Sequence, residues 1–199
     1  MREPEVVIVD SGGANLASLR YALERLGART EVSADGATIA SAERVVFPGV
    51  GAAPHAMERL REAGLTNVLR TLTQPVLGVC LGMQLLCERS EEGPTRCLGI
   101  LPAVARFLES APGRPVPHMG WNELKVLKAD RLLEGVEDGE YAYFVHSYAA
   151  PVTEHALASS DYGVAIAAVV RRANFWGTQF HPERSGPLGA RVLENFLEA

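Results

Sequence analysis

One of the three cysteines in the chain, Cys80, lies in a pattern that could carry nucleophilic chemistry. It is the centre of Gly78-Val79-Cys80-Leu81-Gly82, between an apolar run that predicts a strand and a stretch that predicts a helix. This strand–turn–helix pattern is that of a nucleophile elbow with cysteine in the nucleophile position. A helix N-terminus next to a thiol lowers its pKa, and the first helical N–H could bind an oxyanion. Because free cysteines are often buried as small apolar residues, a packing role is the alternative.

A nucleophilic cysteine needs a base, and the base needs an orienting group. Of the five histidines, His181 fits best, since it ends an apolar run and is followed by Pro182 and Glu183. Residues two positions apart on extended backbone project to the same face, so Glu183 could orient the His181 ring toward Cys80. A solvated histidine and glutamate at a surface strand end is the alternative interpretation of this motif.

The first half of the chain alternates apolar runs with stretches of helical spacing. The apolar runs, which predict buried strands, lie at 6–9, 45–47 and 75–79. The stretches that predict helices lie at 16–26, 57–72 and 81–88. Gly27 is typical of the residue just past a helix end. Strands that alternate with helices predict a parallel sheet covered on both faces.

The second half is richer in short strand-like segments, at 104–108, 123–127, 141–145, 164–170 and 175–180. Their short spacing favours hairpins or an antiparallel extension of the sheet. Apolar side chains on one side of 188–197 predict a closing helix. Because the sequence shows no repeat, low-complexity segment or linker, residues 1–199 are predicted to form one domain.

The composition argues against several classes of protein. The net charge is −5, and no run of lysine or arginine would form the basic face of a nucleic-acid-binding protein. No apolar stretch approaches the ~18 residues of a membrane span, and the charged N-terminal residues do not resemble a secretory signal. The cysteines have no C-x-x-C spacing, and Cys87 is expected only to pack. We therefore expect a cytoplasmic protein without a metal or cofactor.

Several motifs carry a family resemblance. Three resemble class I glutamine amidotransferases: GVCLGMQ at 78–84, QFHPE at 179–183, and PGVG at 48–51, which resembles the family's oxyanion loop. Three more resemble the branch that contains the glutaminase subunits of imidazole glycerol phosphate synthase: DSGGANLASL at 10–19, PHMGWNEL at 117–124 and YFVHSY at 143–148. The resemblance implies a flavodoxin-like, doubly wound α/β fold, with a mainly parallel sheet, helices on both faces and an antiparallel extension.

The resemblance also implies roles for individual residues. Cys80 would be the nucleophile, His181 the acid and base, and Glu183 the group that orients His181. The backbone N–H groups implied to form the oxyanion hole are those of Leu81 and of Val50 or Gly51. The residues implied to hold the bound glutamine are Gly49, Gln84, Ser147 and Tyr148. The residues implied to lie toward a partner protein are Asn15, Trp121, Tyr143 and Arg184.

The implied reaction is hydrolysis of glutamine to glutamate and ammonia. The chain contains no P-loop and no G-x-G-x-x-G fingerprint after a strand, so the ammonia acceptor is expected on another chain. By resemblance that chain is a (β/α)₈-barrel cyclase subunit, bound as a heterodimer, which uses the channelled ammonia. The products would be imidazole glycerol phosphate and aminoimidazole carboxamide ribotide, in histidine biosynthesis.

Some positions bear on how such a partner would act. The chain departs from the family pattern at Ser11 and Arg184, both near the expected interface. Glycines on either side of Val50 allow the peptide there to turn over, so Gly49-Val50-Gly51 is a candidate switch that aligns when the partner binds its ligand. His146 is expected to support the glutamine pocket by its backbone and by packing, and His118 to pack or to face the partner.

Three other functions stay open on the sequence. The chain could be an amidotransferase of another pathway, such as anthranilate, GMP or pyridoxal phosphate synthesis, although the MGWN segment at 119–122 argues against it. It could be a cysteine hydrolase or peptidase on a similar elbow, which the placement of H-P-E does not favour. It could also be a binding protein that has kept the fold without activity.

Overall fold

The computed structural model describes residues 4–11, 16–49 and 51–199. Within these ranges the α-helices are Leu16–Arg25 (α1), Gly36–Ser41 (α2), Ala53–Glu62 (α3), Leu65–Thr71 (α4), Leu81–Leu86 (α5) and Gly186–Leu197 (α6). The strands of the first half are Glu5–Val9 (β1), Arg29–Ser33 (β2), Arg44–Gly49 (β3), Val76–Cys80 (β4), Cys87–Ser90 (β5) and Thr95–Arg96 (β6). Those of the second half are Leu101–Phe107 (β7), His118–Glu123 (β8), Lys125–Val126 (β9), Tyr141–His146 (β10), Tyr148–Ala149 (β11), Ala156–Asp161 (β12), Ala165–Arg172 (β13) and Phe175–Thr178 (β14).

The centre of the molecule is an eight-stranded sheet in the order β2-β1-β3-β4-β14-β13-β12-β9. The first five strands in this order are parallel to one another, and the last three pair antiparallel. The strand order reverses after β1, which is the doubly wound arrangement. The predicted α/β fold, with a mainly parallel sheet and an antiparallel extension, is confirmed.

The sheet is buried on both faces because the central stretches of its inner parallel strands are apolar on both sides. On β1, Val6 and Ile8 point into one core and Val7 and Val9 into the other. Side chains of α1 and α6 complete the first core, and side chains of α3, α4 and α5 complete the second. Continuous apolar runs rather than alternating ones follow directly from this double coverage.

Two smaller sheets lie beside the central one. β8 and β10 pair antiparallel as a two-stranded ribbon, called here the β8–β10 ribbon, and the order of the other sheet is β11-β7-β5-β6. In the ribbon Tyr143 lies opposite Trp121, and His146 lies opposite His118. The antiparallel pairing expected in the second half is therefore present.

Some predicted boundaries were wrong. The helix predicted at 81–88 ends at Leu86, because the backbone of Cys87 is extended and starts β5. The strand predicted at 123–127 is reduced to Lys125–Val126, and the longer strand precedes it as β8. β2 and β12 were not predicted: β2 is a partly exposed edge strand, and β12 has small side chains in ALASSD. Pairing with neighbouring strands, rather than local propensity, determines these segments.

Across the described residues, the structure has no helix that is both long and apolar enough to cross a membrane. It also has no cluster of potential metal-ligating side chains within the same ranges.

Candidate active site

Cys80 stands at the junction between β4 and α5 in a strained backbone conformation. Its φ is 54° and its ψ is −110°, a region that residues other than glycine seldom occupy. Strain of this kind costs on the order of 1–3 kcal/mol and persists only where the surroundings enforce it. Here a Cβ on Gly82 would lie 1.9 Å from the carbonyl oxygen of Phe47, so β3 is pressed against the start of α5. The predicted elbow is present, and its glycine is needed for this close approach.

The backbone after β3 runs beside the elbow. Gly49 lies opposite Cys80 in the strand register, and a Cβ on Gly49 would lie 2.6 Å from the Gly82 nitrogen. Gly51 has a φ of +87° and is exposed. Of the other positions predicted for this region, Leu81 is buried at the first turn of α5, whereas Val50 lies outside the described residues.

His181 and Glu183 meet at the carboxyl end of β14, next to β4. His181 Nδ1 lies 2.8 Å from Glu183 Oε1, and both side chains are almost entirely buried. The neighbouring Cys80 side chain also influences His181, whose pKa it raises. Because Nδ1 is bonded to Glu183, Nε2 is the ring nitrogen available to the sulfur. The structure thus brings together the three side chains that the sequence singled out.

The electrostatics of this group favour a charged imidazole. Burial, the largest single influence, lowers the pKa of His181, but the neighbouring Cys80 and Glu183 side chains raise it and outweigh burial. The net effect raises the pKa of His181 to about 10. At neutral pH a protonated His181 therefore lies between the sulfur and the carboxylate, an arrangement that supports a nucleophilic thiolate and supplies a proton for a leaving group.

A pair of buried glutamines lies on the other side of the sulfur. Gln179 Nε2 is 3.8 Å from Cys80 Sγ, and Gln84 Nε2 is 3.1 Å from Gln179 Oε1. Gln84 Nε2 also donates to the Tyr148 carbonyl oxygen at 2.7 Å. Gln84 was predicted as a site residue, whereas Gln179 was not. The sequence signal for Gln179 was its place at the start of the QFHPE motif, in which only His181 and Glu183 were given roles.

Comparison with known proteins agrees with this geometry. The family model described as glutamine amidotransferase class-I matches residues 7–199. The chain belongs to the class I glutamine amidotransferase family. It is 54% identical over 194 residues to imidazole glycerol phosphate synthase subunit HisH of Xanthomonas euvesicatoria pv. vesicatoria, which covers 98% of this chain and 97% of that protein. HisH of Xylella fastidiosa is 53% identical with the same coverage. The predicted family and its HisH branch are both confirmed.

Solved structures show the same fold at low sequence identity. A crystal structure of a glutamine amidotransferase superposes with a TM-score of 0.74 at 23% identity, covering 97% of each chain. A chain of PurLQS from Thermotoga maritima superposes with a TM-score of 0.74 at 20% identity, covering 99% of each chain. At these identities the likeness supports the class I amidotransferase fold alone.

In this amidotransferase the two pocket residues predicted after β10 are fixed through their backbone. The Ser147 carbonyl accepts the Leu108 N–H at 2.9 Å, and the Tyr148 carbonyl accepts from Gln84. The Tyr148 ring packs edge-on against Phe107, with ring centroids 5.3 Å apart. Ser147 therefore lies between β10 and β11, and Tyr148 lies on β11, which pairs with β7 and contacts Gln84.

The residues predicted to face a partner lie around the outer side of the amidotransferase ribbon. Trp121 is 54% exposed and its ring lies 6.0 Å from that of Tyr143, while the Arg184 guanidinium lies 5.7 Å from the Tyr143 ring. Met119 and Tyr141 are also exposed on this ribbon. Asn15, the fourth predicted interface residue, lies outside the described residues.

The same ribbon of the amidotransferase is bonded to the backbone of His181. The His181 N–H donates to the Tyr143 carbonyl at 3.0 Å. The buried Ser185 hydroxyl donates to the His181 carbonyl at 2.7 Å and accepts the Tyr143 N–H at 2.9 Å. Sequence analysis did not identify Ser185. Its two hydrogen bonds tie the position of the His181 backbone to that of a residue on the exposed ribbon.

Proposed function

We propose that this chain hydrolyses glutamine with Cys80 as nucleophile, His181 as acid and base, and Glu183 as the residue that orients His181. The observation that carries the proposal is the 2.8 Å contact of His181 Nδ1 with Glu183 Oε1 just after β14, the strand that pairs with β4, which ends at Cys80. Membership of the class I glutamine amidotransferase family supports glutamine as the substrate. One domain that spans the chain would contain the whole site.

The proposed reaction proceeds through a covalent intermediate. The Cys80 sulfur attacks the side-chain amide carbon of glutamine and forms a tetrahedral oxyanion. His181 donates its proton to the amide nitrogen, the C–N bond breaks and ammonia leaves, so that a γ-glutamyl thioester remains. His181 then takes a proton from water as the water oxygen attacks the thioester. Cleavage of the C–S bond releases glutamate and restores Cys80.

The proposed oxyanion hole combines the N–H of Leu81 with that of Val50 or Gly51. Leu81 is the first residue of α5, where an N–H group has no partner within the helix. The close packing of Gly49 against Gly82 brings the segment after β3 to the same place. The start of the following helix, α3, is held by Glu92, whose Oε2 accepts the Ala53 N–H at 2.7 Å. Loss of one donor of this kind typically costs about 10²–10³ in rate.

The proposed glutamine site lies between the elbow and the segment after β10. Gln84 and the backbone of Gly49, Ser147 and Tyr148 would hold the amino-acid end of the substrate. The positions of these residues support the proposal. Gly49 lies opposite Cys80, and the Gln84 side chain connects the Tyr148 carbonyl to the side chain of Gln179, which contacts the Cys80 sulfur. The side-chain amide of a bound glutamine would then lie over Cys80.

We further propose that the chain works in a heterodimer with a (β/α)₈-barrel cyclase in histidine biosynthesis. Support comes from HisH relatives, which are named as a subunit of imidazole glycerol phosphate synthase. The exposed ribbon face around Trp121 and Tyr143, with Arg184, would dock the cyclase. Channelling would keep ammonia from protonation in bulk water before it reaches the cyclase, which would form imidazole glycerol phosphate and aminoimidazole carboxamide ribotide. Three free cysteines suit a cytoplasmic complex.

The proposal is tested by measuring glutamate release from glutamine. The purified chain is assayed alone, with the cyclase, and with the cyclase plus its phosphoribulosyl aminoimidazole carboxamide nucleotide. Cys80→Ala should abolish activity, whereas Cys97→Ala, a buried cysteine outside the site, should retain it. A large rise in the full mixture is expected. Glutamate release at the same rate with and without the cyclase would contradict the proposed heterodimer. Glutamate release by Cys80→Ala would contradict the proposed mechanism.

A further inference from the structure

A chain of hydrogen-bonded polar groups runs along the β8–β10 ribbon, from the partly exposed Asn122 through two buried histidines to the proposed glutamine pocket. Asn122 Nδ2 lies 3.3 Å from His118 Nε2, and His118 Nδ1 lies 3.1 Å from His146 Nε2. His146 Nδ1 lies 2.9 Å from the Tyr148 carbonyl oxygen, which also accepts from Gln84 at 2.7 Å. The mechanism proposed above uses neither histidine, although both are buried.

The partners at the two ends of this hydrogen-bond chain determine which ring nitrogen of each histidine carries the proton. The Tyr148 carbonyl can only accept, so His146 carries its proton on Nδ1 and accepts on Nε2. His118 must then donate from Nδ1 and accept on Nε2. Asn122 supplies the donor, since its Oδ1 already accepts the Glu123 N–H at 2.9 Å. A second proton on either ring would point one N–H donor at another N–H donor. The hydrogen-bond chain therefore requires both histidines to be neutral.

Packing holds the His118 ring in the required orientation. The ring is stacked between Tyr162, with centroids 3.9 Å apart, and Phe144, with centroids 4.9 Å apart. Asn122 is held separately by a 2.8 Å hydrogen bond from its Nδ2 to the Asp161 carbonyl. Burial also lowers the pKa of His118 to about 4 and that of His146 to about 3, which agrees with neutral rings. Packing thus restricts the rotation of the His118 ring, which in turn is hydrogen-bonded to His146.

We propose that His118 and His146 are positioning residues that fix the Tyr148 carbonyl, and through it Gln84, for the binding of glutamine. The inference rests on the proposed role of Gln84 in holding the substrate. Two donors fix the direction of one carbonyl better than one, and Gln84 Nε2 is in turn the link to Gln179 beside Cys80. The hydrogen bonds of the two histidines go to each other, to Asn122 and to the Tyr148 carbonyl, so loss of the histidine donor should loosen the binding pocket more than it disturbs Cys80 or His181.

The decisive comparison is between His146→Leu and His146→Asn, measured in the complex with the cyclase. Asparagine keeps an N–H donor near the Nδ1 position, whereas leucine fills similar space without one. His146→Leu should raise KM for glutamine about tenfold, the effect of one lost hydrogen bond, with kcat changed less than about threefold. His146→Asn should keep KM within about threefold of the parent. Equal rises in KM for both variants, or a loss of kcat at unchanged KM, would overturn the proposal.

A second variant covers the case in which His146→Leu does not fold. His118→Phe keeps an aromatic ring between Phe144 and Tyr162 but removes both hydrogen bonds, so it should raise KM for glutamine about threefold or more. An unchanged KM in folded His118→Phe would contradict the proposed chain. The alkylation rate of Cys80 by iodoacetamide, which lacks the amino-acid end that Gln84 and Tyr148 are proposed to hold, should match the parent in all three variants.

The same alkylation separates the two proposals. Glutamine hydrolysis by the parent that persists after complete alkylation of Cys80 would reject the nucleophile itself. If alkylation abolishes the activity of the parent but the histidine variants have the same KM for glutamine as the parent, only the proposed positioning role of His118 and His146 is rejected.

Discussion

Glu183 lies only two residues after His181 in the chain, and its Oε1 lies 2.8 Å from His181 Nδ1. The short loop that starts at Pro182 makes this possible, because it turns the glutamate back toward the histidine within one 3₁₀ turn. The glutamate and the histidine that it contacts are therefore both attached to the end of β14 beside the elbow.

Replacement of Glu183 by glutamine should lower glutamine turnover about 10²–10⁴-fold, the usual range for a lost acid–base function. The neutral amide removes the charge that raises the pKa of His181, so the alkaline limb of the pH–rate profile should move to lower pH. The profile of kcat/KM against pH measures both effects. Glu154→Gln is the matched control, since Glu154 lies beside His155 on the surface. An unshifted alkaline limb with full activity in Glu183→Gln would contradict the assigned role.

Replacement of Gly82 by alanine should lower the free energy of unfolding by about 3 kcal/mol or more, because its Cβ would overlap the Phe47 carbonyl of β3. Gly27→Ala isolates the cost of backbone conformation. Gly27 has a φ of +83° with open space around the added atom, and the expected loss is about 1–2 kcal/mol. Urea unfolding of both variants gives the comparison. Equal losses would show that the elbow tolerates a side chain at position 82.

Much of the fold follows from local pattern, but its irregular strands do not. The run at 6–9 predicts a buried strand because all four residues are apolar, and the structure buries them on both faces. The φ of +83° at Gly27 likewise follows from its place after α1. In contrast, β12 is built from small residues whose extended form depends on pairing with β13 and β9. No local preference indicates that pairing.

The residues of the candidate site likewise fall into those that the sequence predicts and those that only the folded structure brings together. Cys80, His181 and Glu183 were identified because each lies in a short motif at the end of an apolar run. The contact of Gln179 with Cys80 and the pairing of His118 with His146 depend on strand register and side-chain direction. Such contacts are properties of the assembled sheets, so residue type and spacing do not predict them.

The buried histidines should make the protein less stable in mild acid. Burial lowers the pKa values of His118 and His146 from 6.5 to about 4 and about 3, so below pH 6.5 the unfolded chain binds more protons than the folded one. Between pH 6.5 and 5 this difference amounts to about 2 kcal/mol for each histidine. His181 does not share this window: its pKa is raised, so its stabilising contribution is complete below pH 6.5 and is lost as the pH rises through about 10.

Urea unfolding of the parent and of His118→Phe at pH 7 and pH 5 measures this effect. The loss of stability between the two pH values should be about 2 kcal/mol smaller in His118→Phe, because one titrating group is gone. Tyr162→Phe, which keeps the ring stacked on His118 and removes only a hydroxyl, should behave as the parent. An identical loss in parent and His118→Phe would show that His118 titrates alike in the folded and unfolded chains.

Replacement of Trp121 by alanine should weaken binding of the cyclase without harming the fold. The side chain is 54% exposed and contacts the Tyr143 ring, so the free energy of unfolding should fall by only about 1 kcal/mol. A tryptophan at the centre of an interface commonly contributes about 2 kcal/mol or more, which predicts a rise in Kd of about 30-fold. Titration of the cyclase into each variant gives Kd, and Val164→Ala, which is 58% exposed on another edge, is the control. Equal Kd values for the two variants would place the docking face elsewhere, because only Trp121 lies on the ribbon whose backbone is bonded to His181 through Tyr143.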